Sequence, residues 1–182
     1  MDKKYFKYDD DFSPLGEGIT YIETLGGTDA IRQITVFKGE YHASNIGHPK
    51  YGINLADQSA DYASIDKVKQ ISKQEFAEIW NAHLTQHRAE WEKAKTHNKV
   101  GKRIEGHIEI FYPQGVIVQL NSKFWGLANY DECLVSTTQD NMYTKHKITA
   151  TVSGYDEENY WFVLKNPQVY SDQSHETRIK WD

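Results

Sequence analysis

Residues 100–120 read VGKRIEGHIEIFYPQGVIVQL, and residues 147–164 read KITATVSGYDEENYWFVL. Apolar and polar side chains alternate in both stretches, which is typical of strands with one buried face. In the first strand that face comprises Ile104, Gly106, Ile108 and Ile110, and in the second it comprises Val116, Val118 and Leu120, opposite Ile117 and Gln119. A slip of one residue would expose every isoleucine, so the pattern also predicts the register.

Five β-type runs lie between residues 100 and 164, separated by clusters of Gly, Pro, Asn and Asp. Short strands with such turns predict a small antiparallel barrel or sandwich. Gly101 and Gly115 stand where a strongly bent barrel needs a permissive backbone.

This stretch resembles the RNA-binding domain first named in ribosomal protein S-one. The resemblance is carried by Val100-Gly101, Gly106, the run Gly115–Leu120, Gly126-Leu127 and the run Val152–Asp156. It implies a five-stranded OB-fold barrel and, as a functional expectation, RNA binding. Most of these residues are scaffold glycines and core valines, so the resemblance specifies the fold better than the activity.

The chain departs from that family at positions that would contact RNA. Ile117 stands where the family usually has an exposed aromatic residue, and Asn129 stands where it has a histidine. Single-strand binding depends on aromatic stacking, so other aromatics would have to replace these contacts. The predicted binding face comprises Tyr112, Ile117, Gln119, Trp125, Asn129, Tyr130 and Trp161. The alternative is that its aromatic members pack in the core or at the rim, as barrel aromatics commonly do.

The first half predicts a β-meander followed by one long helix. Alternating runs flank Gly26-Gly27, which is a hairpin signal, and Lys38-Gly39 leads into a third run. Asp9–Asp11 lack the loop spacing of a cation site and are interpreted as a solvated segment. His48 lies in a Gly- and Asn-rich loop that could bind a ligand, although a plain connection is the favoured interpretation.

The helix signal is local and strong. Residues 72–75 read SKQE, a capping box, and residues with apolar bodies then recur at three- and four-residue spacing as far as Trp91. The helix should therefore begin near Ser72 and end between Lys95 and Asn98.

The first half also resembles small, uncharacterised bacterial domains found near polymorphic-toxin loci. The resemblance rests on RQITV at 32–36, YGINLAD at 51–57 and ISKQEFAEIW at 71–80. Immunity proteins in such loci neutralise a toxin by binding it, so the resemblance implies a protein partner and no catalysis.

No catalytic or cofactor site is predicted. His83 and His87 lie one helical turn apart, which suits two zinc ligands, but Leu84 stands where a metalloprotease has Glu and no third ligand is evident. Packing is therefore the favoured role for both histidines, and no metal is expected. Cys133, the only cysteine, fits packing in a reducing cytoplasm. No nucleophile motif, phosphate loop or diagnostic carboxylate pair appears, so the protein is predicted not to be an enzyme.

The formal net charge is −5, and neither half of the chain is basic. This balance argues against an affinity dominated by phosphate contacts and suits a basic protein partner, although it is also an ordinary choice for solubility. No apolar run approaches the length of a membrane span, so no membrane partner is expected and the predicted location is the cytoplasm.

The sequence thus predicts an α+β protein: an N-terminal β-meander with one long helix, followed by a five-stranded OB-type β-barrel. The predicted domains are residues 1–97, residues 98–166 and a polar tail at 167–182, in which Trp181 could dock or serve as a recognition peptide. The first functional hypothesis is a non-catalytic binding protein, such as an immunity protein that binds a basic toxin domain. The alternative is an RNA-binding or translation-associated protein that acts through the barrel.

Overall fold

The computed structural model describes residues 2–10, 16–48, 50–56 and 58–170. Within these residues the fold is mixed α+β, with ten strands in two sheets and two α-helices. The chain divides into two compact units, Met1–His87 and Arg88–Asp182, so the division falls inside the long helix. No helix in the described ranges combines the length and the apolar character needed to cross a bilayer.

The first unit contains a five-stranded antiparallel sheet with the order β4-β3-β2-β1-β5. Its strands are β1 (Lys3–Asp10), β2 (Gly18–Leu25), β3 (Asp29–Phe37), β4 (Glu40–Ala43) and β5 (Lys69–Gln70). The predicted meander is confirmed as β2–β3–β4, and Gly26 and Gly27 form its first turn with φ of 64° and 93°.

The interpretation of Asp9–Asp11 as a solvated segment agrees with the exposure of Asp9, although β1 extends to Asp10, which is half-buried. Asp10 accepts a hydrogen bond from the Thr20 hydroxyl on the neighbouring strand, at 2.7 Å. Asp11 lies outside the described residues.

Helix α1 (Lys73–His97) begins and ends where its capping signals predict. Ser72 Oγ accepts a hydrogen bond from the Glu75 backbone N–H at 3.1 Å, which satisfies one of the donors left free at a helix start. The apolar face of the first half of α1 covers one side of the sheet. Phe76 packs against Tyr5 with ring centroids 5.6 Å apart, and Trp80 stacks on Phe76.

The other side of this sheet is covered by the connection that precedes β5. Phe6, Ile22 and Ala30 form a buried cluster with Tyr62 from that connection. The sheet therefore has two covered faces, which explains why the middle of β2 is buried on both sides.

The second unit contains a five-stranded sheet closed in a ring, with the order β10-β8-β7-β6-β9. Its elements are β6 (Arg103–Tyr112), β7 (Gly115–Leu120), β8 (Gly126–Ala128), α2 (Tyr130–Ser136), β9 (Lys147–Asp156) and β10 (Trp161–Val169). A short 3-10 turn, Gln139–Asn141, lies between α2 and β9.

Four of the pairings in the ring are antiparallel, whereas β8 and β10 pair in parallel. The expectation of a wholly antiparallel arrangement is therefore wrong for this pair. Parallel neighbours need a long crossover, and the chain supplies it here through α2 and β9.

Val118 and Leu164 point into the ring. A Cβ atom at Gly106 would lie 2.8 Å from Cγ1 of Val118, and one at Gly126 would lie 3.1 Å from Cγ of Leu164. These glycines stand where core side chains of neighbouring strands leave no room for a methyl group.

A bulge between Ile108 and Ile110 changes the predicted face of β6. Ile108 pairs with Val118, whereas Ile110 pairs with Ile117. Ile110 therefore lies on the opposite side of the sheet from Ile108, because a bulge inserts one extra residue and reverses the alternation beyond it.

The last turns of α1 pack within the second unit through Trp91, which is fully buried. Its ring stacks on Tyr160 with centroids 5.3 Å apart and contacts Phe162 at 4.9 Å. The indole N–H donates to Glu157 Oε2 at 2.8 Å, so the buried ring also has its polar atom satisfied.

Candidate functional site

Four of the seven residues predicted to form the binding face are buried. The exposed fractions are 7% for Tyr112, 0% for Ile117, 2% for Trp125 and 1% for Trp161. A base can stack only on an exposed ring face, so the three aromatics among them cannot provide a stacking platform in this conformation. The alternative interpretation, in which these aromatics are packing residues, agrees with their burial.

Ile117 was predicted to belong to a binding face that is open to solvent or to a partner, but its side chain is fully buried, although it does lie opposite Val118 as predicted. Ile117 and Val118 point to opposite sides of β7, because Val118 pairs with Ile108 and Gly126 while Ile117 pairs with Ile110 and Leu127. The Ile117 side is covered as well, since half-buried aliphatic chains flank Ile117 on both neighbouring strands. The row continues to Val163, which pairs with Leu127 and is 36% exposed.

Asn129 is exposed, and its main contact is a helix cap. Its Oδ1 accepts a hydrogen bond from the Glu132 backbone N–H at 3.0 Å, at the start of α2. Gln119 is half-buried and lies opposite His107 in the register of β6 and β7.

Tyr130 is the predicted residue around which an accessible surface forms. Phe111, 37% exposed, lies edge-on to the Tyr130 ring with centroids 6.1 Å apart. Asp131 and Glu132 follow in the first turn of α2, and both are exposed. We call Phe111, Tyr130, Asp131 and Glu132 the aromatic–acidic patch.

The predicted binding face included Tyr112, which is buried, and omitted its exposed neighbour Phe111. The adjacent pair Phe111-Tyr112 before the Pro113 turn carried a usable signal. Two consecutive aromatics on a strand point to opposite faces, so Phe111 and Tyr112 could not both lie on the same side of β6.

Burial shifts the pKa of two groups in the second unit. Burial raises the pKa of Glu109, and the nearby Lys145 lowers it by a smaller amount. Burial, assisted by Glu132, raises the pKa of the Cys133 thiol to about 12. A thiol that stays protonated at neutral pH is a poor nucleophile, which agrees with packing as the role of Cys133.

The paired histidines of α1 take part in a polar contact within the first unit. His83 Nε2 lies 2.9 Å from Asn45 Oδ1, and the His83 and His87 rings are 4.9 Å apart. Across the ranges that the structure describes, no three His, Cys, Asp or Glu side chains come together as a metal site.

His48 contacts the backbone and a side chain of its own loop. Its Nδ1 accepts hydrogen bonds from the backbone N–H groups of Lys50 and Tyr51, both at 3.2 Å, and its ring stacks on Tyr51 at 4.6 Å. Burial and the nearby Lys50 lower the pKa of His48, which keeps the accepting nitrogen unprotonated. These contacts give His48 a structural role in closing the turn.

No known protein family matches the chain. No curated protein matches it at a significant level either.

Proposed function

We propose that the protein is a non-catalytic binding protein whose second unit is an OB-type barrel. Three features support the barrel assignment: the closed ring order, the helix α2 between its third and fourth strands, and the parallel pairing of its third and fifth strands. OB folds are five-stranded Greek-key barrels that bind ligands on an outer face and its adjoining loops.

We further propose that its partner is a protein and that the aromatic–acidic patch is the contact surface. The observation that carries this proposal is the exposed Phe111 ring against the half-buried Tyr130 ring, next to the exposed residues Asp131 and Glu132. Exposed aromatic residues are frequent anchors of protein interfaces, and their ring faces attract Arg and Lys. Neighbouring carboxylates add electrostatic steering toward a basic surface.

This chemistry fits a basic toxin domain, which is the partner that the resemblance of the first half implies. The burial of Trp125 and Trp161 disfavours RNA as the main ligand, since it removes the expected stacking faces. The buried thiol of Cys133, the single cysteine, suits the reducing cytoplasm in which such an immunity protein would act.

The experiment first determines whether a toxin domain is encoded directly upstream of the gene, and absence of such a gene would count against the proposal. A toxin domain found there is produced with its catalytic residues inactivated. Isothermal titration calorimetry compares the full-length protein with Phe111→Ala and Asp131→Lys. We expect each substitution to weaken binding by roughly thirtyfold, which corresponds to about 2 kcal/mol at an interface hot spot. Val100→Ala is the matched control, because Val100 is an exposed apolar residue that precedes β6, whereas Phe111 lies near the end of that strand.

A parallel titration uses mixed-sequence single-stranded RNA at several salt concentrations. Tight RNA binding that weakens steeply with salt, together with no response of toxin binding to either patch substitution, would refute the proposal and favour the RNA-binding alternative.

A further inference from the structure

A groove in the second unit has a local charge opposite to that of the whole chain. Its volume is about 780 Å³, and residues at the end of α1, the start of β6 and the end of β7 line it. The charged lining residues are four cations, Lys93, Lys102, Arg103 and Lys123, and two carboxylates, Glu90 and Glu105. None of the seven residues of the predicted binding face lines this groove.

Both carboxylates of the groove already have cationic partners. Glu90 is bound by Lys123, within the groove. Glu105 is bound by Lys147, which does not line the groove, at 2.8 Å. Lys147 therefore neutralises the Glu105 carboxylate, and none of the four cations that line the groove is needed for that purpose.

Lys102 is engaged by the negative end of the α1 dipole. Its Nζ donates to the His97 carbonyl oxygen at 2.7 Å and to Asn98 Oδ1 at 3.2 Å. This contact caps carbonyl groups that the helix end leaves free. It also offsets the partial negative charge that would otherwise repel an anion.

Lys93 and Arg103 remain without a carboxylate partner in the described part of the chain. Arg103 donates through one nitrogen to Thr149 Oγ1 and to Gln168 Oε1, both at 2.6 Å. These acceptors are neutral, so they orient the guanidinium group without neutralising it. Neither acceptor lines the groove, but both restrict the motion of the Arg103 side chain, which itself lines it, and this restriction lowers the entropic cost of binding an anion.

We propose that this groove binds the phosphate group of a nucleotide-sized ligand. The excess of cations over carboxylates in the lining matches a phosphate monoester, which carries about −1.5 to −2 charges at pH 7. The volume falls in the range of small-molecule sites, roughly 300–1,000 Å³. Ile104, Leu120 and Phe124 provide apolar lining for the organic part, and Asn121 offers a polar group that could fix its orientation.

The site is independent of the proposed protein interface, because no residue of the aromatic–acidic patch lines the groove. A negative result for the protein interface therefore does not count against the phosphate site, and a negative result for the phosphate site does not count against the interface.

The test measures binding of ADP, inorganic pyrophosphate and a uridine-rich RNA octamer to the full-length protein by calorimetry. We expect ADP to bind, and we expect Lys93→Ala and Arg103→Ala each to weaken it at least tenfold. Lys165→Ala is the control, since Lys165 is an exposed lysine on β10 outside the groove lining. Thermal melting without ligand checks that each variant is folded, and Arg103→Lys, which keeps the charge, should retain part of the affinity.

The three ligands separate the sources of the phosphate. Equal affinity for pyrophosphate and ADP supports a phosphate site with little contribution from the base, whereas tighter ADP binding supports a nucleotide site. Absence of ADP and pyrophosphate binding overturns the proposal, even if the octamer binds. Binding that Lys93→Ala and Arg103→Ala leave unchanged overturns it as well.

Discussion

Replacing Glu23 by Gln should destabilise the first unit severely, because Glu23 is the centre of a buried ion pair. Its side chain has an exposed fraction of 0% and is bound by Arg32, whose side chain is 14% exposed. Lys3 Nζ lies 3.2 Å from the other carboxylate oxygen. The Arg32 guanidinium also lies over the Phe76 and Trp80 rings, 5.3 and 5.2 Å from their centroids.

The expected cost follows from the charge that would be left behind. Glu23→Gln leaves the Arg32 guanidinium largely buried without a counter-charge, which costs about 3–5 kcal/mol. That is a large share of the roughly 5–15 kcal/mol by which a domain is stable. Replacing both residues by Met removes both charges together, so the double variant should be more stable than Glu23→Gln.

The assay is urea denaturation of the full-length protein, followed by tryptophan fluorescence and circular dichroism at pH 7. Burial alone would raise the pKa of Glu23, but hydrogen bonds and charge from Arg32 and Lys3 outweigh it and hold the pKa below its ordinary value of 4.5. A lowered folded-state pKa gives stabilisation that is complete above the unfolded-state value and is lost as the pH falls through the folded-state value. The stability gap between the native protein and Glu23→Gln should therefore narrow in acid below about pH 4.5.

A loss of less than about 1 kcal/mol in the free energy of unfolding for Glu23→Gln at pH 7 would refute this reasoning, because an unpaired buried charge should destabilise the fold by more than that. If the double Met variant is less stable than Glu23→Gln, the Glu23–Arg32 pair contributes more to stability than the balance of its two charges.

Two further substitutions test the strands and the long helix. Ile117→Asp and Val118→Asp should both lower the melting temperature strongly, because each substitution buries a charge at a cost of several kcal/mol. Val163→Asp, on the same row as Ile117, should lower the melting temperature much less. A stable Ile117→Asp variant would contradict the burial of that face. Ser72→Ala should cost about 1 kcal/mol by removing the N-cap acceptor of α1, measured as a shift in the denaturation midpoint. An unchanged midpoint would mean that the cap contributes nothing to stability.

The sequence was most informative where the signals are local. The bounds of α1 followed from Ser72 and from the spacing of its apolar face, and the turn at Gly26-Gly27 followed from the need for positive φ. Strands β6 and β7 could likewise be predicted from their alternation and from the Pro113–Gly115 turn.

The sequence was least informative about which parts of the protein cover each face of the two β-sheets. Alternation assigns Ile117 and Val118 to opposite sides, but it does not reveal that both sides are buried. Strand β1 was missed for a related reason. Tyr5 and Phe6 are adjacent and both buried, since both faces of the sheet are covered, so the strand does not alternate simply.

The candidate sites depend on convergence in space, which a linear pattern does not encode. The Phe111 ring contacts the Tyr130 ring across a stretch of sequence that includes two strands. Lys93 and Arg103 line one groove only because the end of α1 lies beside the start of β6. The local excess of cations in the groove is invisible in a net charge of −5.

The parallel pairing of β8 with β10 also constrains how the second unit can be made. The ring is completed only when β10, its last strand in the chain, has pairing partners on both sides. Until then β8 and β9 each present an unpaired edge, and exposed edges invite pairing with other chains. During synthesis the ribosome must release residues 161–169 before those edges can be covered. The period of greatest aggregation risk for this unit therefore falls late in translation, between the emergence of β9 and the arrival of β10.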